Sequence, residues 1–558
     1  MKFSILILLS FLATFSGSEI NAQSWAWAKS GIGSHNDQPF CCINDGSGNF
    51  LIGGYFTSDS LTLGTCTIFN TSSGTQDLFL AKYDPSGNAL WAISAIGKTM
   101  WEKVNSIVTD INNNIYICGI FSSDTLTIGN TNLINHGPIN TDDLFIAKYD
   151  SSGNFVWAKG VGSTENDYAV GVEMSSTGEL YVTGNYFSES LTFDSQTIVN
   201  LNPGQNDIFI VKYDLAGNIL WAKDYGGTGN DAVTWIKRDI NDDILICGRF
   251  TISSLVLDTI TLPLVAGNSN LFVAKLDSSG NAIWAWGAGH EQQDYAARMA
   301  IDSYNNIYIA GSFTSDSITF GNTTLYQSGP LSLPDIFLAK YDSNGNKIWA
   351  LSSIGTAQDV IGSVNIDSNN NIYLFGSYGS PSLSFNTLTV NNTTSSGYDI
   401  FIAKFDTAGN IGWLSSIGDS LYDFGSSLSV DLSGYIYVTG TFSSPIIQFG
   451  STTLNQSGTL YTYDLYIAKL DITTSIIQQQ SNPNILSLYP NPFDNQIMVE
   501  GTNEGGEIII LNNAGQIILK EDSKESETSI KTSELSSGFY ILRYISNGHS
   551  DNFKLVKL

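Results

Sequence analysis

The sequence predicts an all-β protein built from seven repeats, followed by a smaller all-β region. One observation is a tryptophan that recurs at spacings of 63 to 66 residues. Another is that short runs such as Ile307-Tyr308-Ile309-Ala310 are rich in β-branched and aromatic residues and are bounded by turn residues, which is typical of strands. A third is that no segment keeps a helical period. The recurring tryptophans are Trp27, Trp91, Trp157, Trp221, Trp284, Trp349 and Trp413.

Each repeat contains four predicted strands. In the fifth copy they cover residues 298–301, 307–313, 336–341 and 347–353. A fixed period over seven copies is the signature of a repeat architecture. Four antiparallel strands per copy fit a β-propeller better than a sandwich or a β-helix. We therefore predict a seven-bladed β-propeller with four-stranded blades.

The two ends of the repeat array are incomplete in complementary ways. The array begins with a lone fourth strand at residues 25–30 and ends with a lone third strand at residues 465–470. Pairing these two strands in one blade removes the exposed edges and ties the ends of the array together. We therefore expect six continuous blades and a last blade that is closed by the N-terminal strand.

Residues 1–22 have the pattern of a secretory signal peptide. Lys2 precedes an apolar core at residues 3–15, and a plausible cleavage site lies before Gln23. No later stretch is long and apolar enough to span a bilayer. These features predict an exported protein without a membrane span, whose propeller covers residues 23–473.

The composition changes after the propeller. Residues 474–484 are rich in Thr, Gln, Ser and Asn and are predicted to be a linker. Residues 485–558 alternate short apolar runs with turn residues, which predicts a small Ig-like β-sandwich.

The charge balance excludes one class of partner. Asp and Glu number 52 against 24 Lys and Arg, which gives a formal net charge of −28. Such a surface repels phosphate backbones, so we expect no nucleic-acid partner. It also disfavours electrostatic docking on anionic lipid.

The repeat resembles a known bacterial family. The shared pattern is Asp-x-Phe-x-x-Lys-x-Asp-x-x-Gly-Asn-x-x-Trp, as in residues 335–349, followed by Asn-x-Tyr-x-x-Gly in the second strand. It is similar to the β-propeller repeats called SBBP repeats and covers roughly residues 25–471. The resemblance implies an extracellular or cell-surface protein, and the family has no assigned activity.

The C-terminal region resembles the type A sorting domain of the type IX secretion system. The resemblance implies export across the outer membrane of a Bacteroidota-type bacterium, with the secretion machinery and a sortase-like peptidase as partners. The mature protein is then expected to be secreted or attached to the cell surface. The matching residues are Tyr489, Pro490, Asn491, Pro492, Gly538, Tyr540, Lys554 and Lys557.

One acidic residue per repeat follows the glycine that ends the fourth strand. In a closed ring these residues surround the mouth of the central channel, where a ring of carboxylates could bind a cation or a polar ligand. Alternatively, each accepts backbone N–H hydrogen bonds and fixes its own loop. The candidate ligand-binding residues are Asp37, Glu102, Asp167, Asp231, Asp294, Asp359 and Asp423.

Other recurring residues have structural explanations. The lysine of the third strand, for example Lys340, is expected to pair with a repeat carboxylate, and the repeat tryptophan is expected to pack in the core. The cysteines number five, so they cannot all pair within one chain. A bridge from Cys66 to Cys41 or Cys42 is one open alternative.

No cofactor and no catalytic residue is implied. Turns such as residues 367–371 resemble calcium loops but lack the glycine and the distal glutamate, so calcium remains an open alternative and no metal site is assigned. A sialidase would need three clamping arginines. The propeller has Arg238, Arg249 and Arg298, two of which lie in one repeat.

These observations favour a non-enzymatic binding or adhesion module for a glycan or a protein. Long segments between the second and third strands, such as residues 314–334, open on one face of the propeller, and loops on a rigid scaffold are where binding usually occurs. Two alternatives remain. One is a carboxylate-based polysaccharide hydrolase or lyase, and the other is a structural surface protein.

Overall fold

The computed structural model describes most of the chain outside the predicted signal peptide and linker, both of which lie outside the described residues. The larger part covers residues 24–97, 99–265, 269–330, 333–394, 396–459 and 461–471. The C-terminal part covers 487–489, 493, 495–500, 506–512, 517–523, 527–536, 538–546 and 549–557. These residues form strands, turns and loops without a helix, and fall into two compact units, Gln23–Ser475 and a unit that includes Ile476–Leu558.

The first unit contains strands β1 to β43. In chain order they are β1 (Ser24–Ile32), β2 (Asp37–Asn44), β3 (Phe50–Phe56), β4 (Ser60–Leu63), β5 (Cys66–Phe69), β6 (Asp77–Tyr83), β7 (Ala89–Ser94), β8 (Ile96–Gly97), β9 (Glu102–Thr109), β10 (Ile115–Phe121), β11 (Thr125–Ile128), β12 (Thr131–Ile134), β13 (Asp143–Tyr149), β14 (Phe155–Val161), β15 (Asp167–Met174), β16 (Leu180–Tyr186), β17 (Ser190–Phe193), β18 (Gln196–Val199), β19 (Asp207–Tyr213), β20 (Ile219–Tyr225), β21 (Asp231–Arg238), β22 (Ile244–Thr251), β23 (Leu255–Leu257), β24 (Ile260–Leu262), β25 (Ser269–Leu276), β26 (Ala282–Ala288), β27 (Asp294–Ile301), β28 (Ile307–Phe313), β29 (Ser317–Phe320), β30 (Thr323–Tyr326), β31 (Asp335–Tyr341), β32 (Lys347–Ser352), β33 (Asp359–Ile366), β34 (Ile372–Tyr378), β35 (Ser382–Phe385), β36 (Leu388–Asn391), β37 (Asp399–Phe405), β38 (Ile411–Ile417), β39 (Asp423–Val430), β40 (Ile436–Phe442), β41 (Ile446–Phe449), β42 (Thr452–Asn455) and β43 (Asp464–Asp471).

Within the described residues, seven four-stranded antiparallel arrangements follow one another. Sheets 1 to 7 have the orders β2-β3-β6-β7, β9-β10-β13-β14, β15-β16-β19-β20, β21-β22-β25-β26, β27-β28-β31-β32, β33-β34-β37-β38 and β39-β40-β43-β1. The first strand of each sheet, here called its inner strand, contacts the inner strands of the preceding and the following sheet, and β39 contacts β2.

Sheet 7 joins the two ends of the unit. Strand β1 pairs antiparallel with β43, with Trp27 opposite Lys469 and Ala28 opposite Ala468. The predicted pairing of these two strands, distant in the sequence, is confirmed.

A small hairpin lies between the second and third strands of each repeat. The hairpin expected in the fifth repeat is confirmed as β29 paired with β30. Several hairpins also reach the preceding sheet, since β4 pairs with β1 and β11 pairs with β8, which directly follows β7. The long segments are therefore largely ordered structure that joins neighbouring sheets.

The glycine of the second strand is explained by an irregularity in the inner strand. Each inner strand has a register shift after its third residue, for example between Pro39 and Cys41, and such bulges bend the strand. The shift brings the backbone of the inner strand close to the glycine. A Cβ on Gly54 would lie only 2.0 Å from the Gln38 carbonyl oxygen. The other six second-strand glycines meet a carbonyl oxygen at 1.8 to 2.2 Å in the same way.

The repeated tryptophan and lysine form a clamp between neighbouring sheets. Trp27 Nε1 and Lys469 Nζ both donate to the carbonyl oxygen of Pro85, at 3.2 and 3.3 Å, in the turn between the third and fourth strands of sheet 1. In the same way, Lys148 and Trp157 both donate to the carbonyl oxygen of Leu215. Lys340 and Trp349 both donate to that of Thr407. Tryptophan was expected only to pack, but here it also donates a hydrogen bond.

The predicted carboxylate partner of the repeat lysine is found in three repeats. Ion pairs join Lys82 to Asp45, Lys212 to Glu179 and Lys275 to Asp239, at 2.7 to 2.8 Å. The prediction is wrong for Lys148, Lys340 and Lys469, whose ammonium groups instead donate to backbone carbonyls of the next sheet. Burial lowers the pKa of these three lysines.

The C-terminal unit contains two sheets among its described residues. Their orders are β44-β45-β48 and β47-β46-β49-β50. The side chains of Phe493, Ile497, Ile508 and Leu542 are buried in its core. The strands are β44 (Ser487–Tyr489), β45 (Gln496–Glu500), β46 (Glu507–Leu511), β47 (Ile517–Asp522), β48 (Glu527–Lys531), β49 (Gly538–Ser546) and β50 (His549–Lys557). Within the described ranges, the chain has no helix with the length and hydrophobicity that crossing a membrane requires.

Candidate functional site

The seven predicted channel-mouth acids all begin inner strands. Asp37 opens β2 and Asp423 opens β39, and the other five occupy the same position in their sheets. Their side chains are at most 1 % exposed. The structure thus places them at equivalent positions, but beneath the surface.

Five of these acids form the same pair of contacts, here called the Asp–Ser latch. The Ser58 hydroxyl donates to Asp37 at 2.8 Å and accepts the N–H of His35 at 2.9 Å. One hydroxyl thereby ties the loop before the inner strand to the segment after the second strand. The equivalent pairs are Ser188 with Asp167, Ser315 with Asp294, Ser380 with Asp359 and Ser444 with Asp423. This geometry supports the loop-fixing alternative, while a ligand-binding role stays a prediction.

The two remaining acids differ from these five. In sheet 2 the acid is Glu102, and the Ser123 hydroxyl accepts the N–H groups of Thr99 and Met100 at 3.2 Å and interacts with the Glu102 carboxyl. In sheet 4, Asp231 has no serine partner and interacts with the backbone of Gly227 and Thr251. Ile252 occupies the position at which the other repeats have the latch serine, and its backbone is in the left-handed conformation with φ of 70°. The regular repeat is therefore modified at sheets 2 and 4.

Burial raises the pKa of these carboxyl groups. The pKa rises to about 8 for Glu102, to about 7 for Asp37, Asp167, Asp231 and Asp359, and to about 6 for Asp423. A carboxylate that begins the third strand of the preceding sheet adds repulsion, as Asp464 does for Asp37. Burial of a charge with a like-charged neighbour favours the protonated form.

A cluster of half-buried aromatic side chains lies at this same end of sheets 6 and 7. This aromatic patch consists of Tyr398, Tyr422, Phe424 and Tyr463. The Phe424 ring centroid lies 5.2 Å from that of Tyr398, 6.4 Å from that of Tyr422 and 6.0 Å from that of Tyr463. Aromatic groups at these separations attract each other, so they form one continuous surface.

The backbone of the patch is firmly held. Asp423 N–H donates to the Tyr398 carbonyl at 2.8 Å, and Asp37 N–H donates to the Tyr463 carbonyl at 2.8 Å. The Tyr422 N–H donates to the Ser443 hydroxyl at 3.0 Å. Asp423, which lies between Tyr422 and Phe424, belongs to an Asp–Ser latch. The backbone that carries these aromatic side chains is therefore fixed by hydrogen bonds.

The sequence reasoning missed the patch, although a signal was present. The residue before the inner-strand acid is Asn or Gln in five sheets and Trp101 in sheet 2, but Tyr422 in sheet 7. Before the third strand, Tyr398 and Tyr463 replace the smaller or polar residues of other repeats. Differences between repeats, combined with knowledge of which strand ends meet, would have pointed to it.

A cavity of about 370 Å³ lies among the C-terminal halves of the inner strands, at the opposite end from the acids. All seven inner strands contribute to its lining. Its ionisable side chains include Glu173, Lys237 and Arg238, and Trp235 forms part of its wall. The sequence reasoning did not foresee this site.

The cysteines are not bridged. All five are free thiols, so the alternative of a Cys66 bridge to Cys41 or Cys42 is not what the structure has. Cys41 lies buried on the inner strand β2, whereas Cys66 belongs to the outer hairpin strand β5. Among the described residues, no group of three or more His, Cys, Asp or Glu side chains is arranged to hold a metal ion.

The possible calcium turn is satisfied internally. Asp367 Oδ1 accepts the N–H groups of Asn369 and Asn371, and Oδ2 accepts the Asn371 amide and the Tyr373 hydroxyl. These bonds make it a self-contained turn.

The predicted sorting residues lie on two neighbouring strands where they are described. Gly538 and Tyr540 belong to β49, and Lys554 and Lys557 belong to β50, which pairs with β49. The Tyr540 hydroxyl donates to the Ser536 carbonyl at 2.8 Å. Tyr489 ends β44, while Pro490, Asn491 and Pro492 lie outside the described residues.

Comparison with known families agrees with this architecture. Residues 413–441 match the family described as Beta-propeller repeat (SBBP), and residues 487–557 match the Secretion system C-terminal sorting domain. The chain therefore carries SBBP β-propeller repeat sequence at residues 413–441 and a type IX sorting domain at residues 487–557. That domain indicates export and a secreted or cell-surface location.

Two curated proteins are similar over most of this chain. The uncharacterized WD repeat-containing protein L264 of Acanthamoeba polyphaga mimivirus is 24 % identical over 543 residues, covering 81 % of this chain and 39 % of its own length. The regulatory protein FlaEY of Caulobacter vibrioides is 23 % identical over 433 residues, covering 73 % and 44 % respectively. The chain spans less than half the length of these relatives.

Among solved structures, similarity is found to the Pan2 WD40 domain of Neurospora crassa. The identity is 9 %, the coverage is 78 % of this chain and 89 % of that one, and the TM-score is 0.37. PorZ, a surface component of the type IX secretion system of Porphyromonas gingivalis, is 11 % identical, with coverages of 93 % and 81 % and a TM-score of 0.21.

Proposed function

We propose that sheets 1 to 7 are the blades of a closed seven-bladed β-propeller spanning residues 23–473. The inner-strand contacts that return from β39 to β2 support closure, as does the pairing of β1 with β43. We also propose that residues 474–484 are a linker and that residues 485–558 form an Ig-like β-sandwich. The two sheets of the C-terminal unit support the latter.

The propeller is a non-enzymatic module that binds a glycan through the aromatic patch. The observation that carries this proposal is the continuous surface of Tyr398, Tyr422, Phe424 and Tyr463 at one end of sheets 6 and 7. Such rings offer flat apolar faces with polar tips, and they lose little conformational freedom on binding. The fixed backbone further reduces the entropy lost when a ligand binds.

A glycan fits the surroundings better than a charged polymer does. The Tyr398 hydroxyl donates to the Gln358 side-chain carbonyl at 2.9 Å. The uncharged side chain of Asn36 accepts the Tyr463 N–H at 3.0 Å. Uncharged amides and hydroxyls beside aromatic faces suit neutral sugar rings, which present both apolar faces and hydroxyl groups.

The seven acids have a supporting role in this proposal. The Asp–Ser latch of Asp423 fixes the loop that carries Tyr422. The backbone N–H of Asp37 donates to the carbonyl of Tyr463. Their burial and internal hydrogen bonds favour positioning over direct contact with a ligand. The same features disfavour a carboxylate-based hydrolase, which needs two accessible acids facing one substrate bond.

The test is glycan-array binding by the exported protein. Tyr422→Ala and Tyr463→Ala each remove an aromatic face, and an aromatic contact of about 1 kcal/mol corresponds to a several-fold loss in affinity. The matched control is Tyr304→Ala, since Tyr304 is 74 % exposed in a turn at the other end of sheet 5. Absence of any retained glycan, or an equal loss in the Tyr304 variant, would contradict the proposal.

A further inference from the structure

The charged side chains that line the cavity among the C-terminal halves of the inner strands are paired. Lys237 pairs with Glu173 at 3.2 Å and Arg238 pairs with Asp242 at 2.9 Å. The thiol of Cys42 also lines the cavity and stays neutral, because burial raises its pKa to about 12. The paired charges of the lining therefore balance each other.

A third cation lies beside this cavity. The guanidinium carbon of Arg298 is 4.7 Å from the centre of the Trp235 ring, and Arg298 Nη1 donates to the Ala297 carbonyl at 2.8 Å. Among the described residues, no carboxylate oxygen lies within 4.0 Å of Arg298, whereas Lys237 is paired with Glu173 at 3.2 Å. Arg298 thus adds a charge that no ion pair balances.

Several polar atoms around the cavity have no hydrogen-bond partner in the described structure. They are the indole Nε1 of Trp235, Nε of Arg238, and both the nitrogen and the oxygen of the Asn44 amide. Buried polar groups in native proteins are nearly always satisfied, and exceptions call for a specific explanation. Here three donors and one acceptor, on β21 and β2, are found around one cavity.

We propose that this cavity binds a small hydroxylated carboxylate of hexuronate size. A volume of about 370 Å³ lies in the range of small-molecule sites. The carboxylate is attracted by the unpaired guanidinium of Arg298 at the Trp235 ring, and it can accept hydrogen bonds from Trp235 Nε1 and Arg238 Nε. The ligand hydroxyls match the paired donor and acceptor of the Asn44 amide. This proposal is independent of the aromatic patch, which lies at the other ends of the inner strands.

The experiment is calorimetric titration of the full-length protein with glucuronate and, separately, with glucose. The two sugars differ in a carboxylate group, so the comparison isolates the contribution of charge. We expect glucuronate to bind at least tenfold more tightly than glucose, because a hydrogen bond to a charged group is worth roughly a factor of ten or more. Arg238→Gln and Arg298→Gln should each weaken glucuronate binding about tenfold.

Two further variants make the result decisive. Lys159, on the fourth strand β14, forms an ion pair with Asp194 at 2.9 Å. Lys159→Gln removes this pair and should leave glucuronate affinity unchanged. Trp235→Phe keeps the ring but removes its N–H, so it tests the site even if a charge variant does not fold. Equal affinity for the two sugars, no glucuronate binding, or an equal loss in the Lys159 variant would overturn the proposal.

Discussion

The turn between the third and fourth strands packs on the tryptophan of the preceding sheet, and one glycine tests this contact. Gly87 has φ of 81°, and a Cβ there would lie 2.9 to 3.0 Å from carbons of the Trp27 ring. Gly434 provides a matched control. It has φ of 86° with nothing within 4 Å of its Cβ position, and its N–H bonds to Asp431 as that of Gly87 bonds to Asp84, both at 3.0 Å.

The expected losses follow from two separate effects. Alanine in the left-handed region costs about 1–2 kcal/mol at either position. Overpacking against a fixed ring costs a further ~1–3 kcal/mol, and it applies to Gly87→Ala alone. We therefore expect Gly434→Ala to lower the free energy of unfolding by about 1–2 kcal/mol and Gly87→Ala by about 2–5 kcal/mol.

The measurement is urea unfolding of the full-length protein followed by tryptophan fluorescence, with stability taken from the midpoint at constant slope. A double-mutant cycle with Trp27→Ala isolates the contact. Without the indole ring, Gly87→Ala should lose only what Gly434→Ala loses. Equal losses for the two glycines in the original protein would refute the inter-sheet clamp as a source of stability.

Three further outcomes are expected. Burial raises the folded pKa of six inner-strand acids from 3.8 or 4.5 to between about 6 and about 8 and also raises that of Asp294, so the folded state holds more protons. Their stabilising contribution is complete below about pH 4 and is lost as the pH rises through the folded pKa values. The urea midpoint should thus be lower at pH 9 than at pH 5, and a higher midpoint at pH 9 would contradict this reasoning. Ser58→Ala leaves Asp37 and the His35 N–H without the latch hydroxyl and should cost about 1–3 kcal/mol, whereas Ser86→Ala, at an exposed turn, should change stability by less than ~0.5 kcal/mol. Deleting residues 488–558 should leave the protein in the periplasm, and cell fractionation that shows normal export would disprove the sorting role of this region.

Much of the fold could be predicted because its determinants are local. Strand period and turn residues located the four strands of each repeat, and the lone strands at 25–30 and 465–470 predicted the pairing of β1 with β43. The apolar alternation in the fifth repeat predicted the hairpin β29–β30. The strands and the hairpin are each encoded within a few neighbouring residues, whereas the pairing of β1 with β43 followed from the incomplete copies at the two ends of the repeat array.

The candidate sites depend on geometry that the repeat pattern does not contain. Each inner strand has a register shift, and the contact between Trp235 and Arg298 on neighbouring inner strands had no sequence signal. The aromatic patch requires knowing that the starts of β37, β39 and β43 meet. The partner of the repeat lysine was predicted in part, because its ammonium group also donates to a backbone carbonyl of the next sheet, whether or not an ion pair forms.

Sheet 7 has a consequence for the kinetics of folding. Around it, Ser457 accepts from the N–H of Gly33 and donates to its carbonyl across a separation of 424 residues. Closing a loop of that length costs about 3 kcal/mol more entropy than closing a short hairpin. Strand β1 therefore cannot pair with β43 until nearly the whole unit has been synthesised. A circular permutant that joins residue 471 to residue 24 by a short turn should fold faster, because its slowest long-range pairing becomes local.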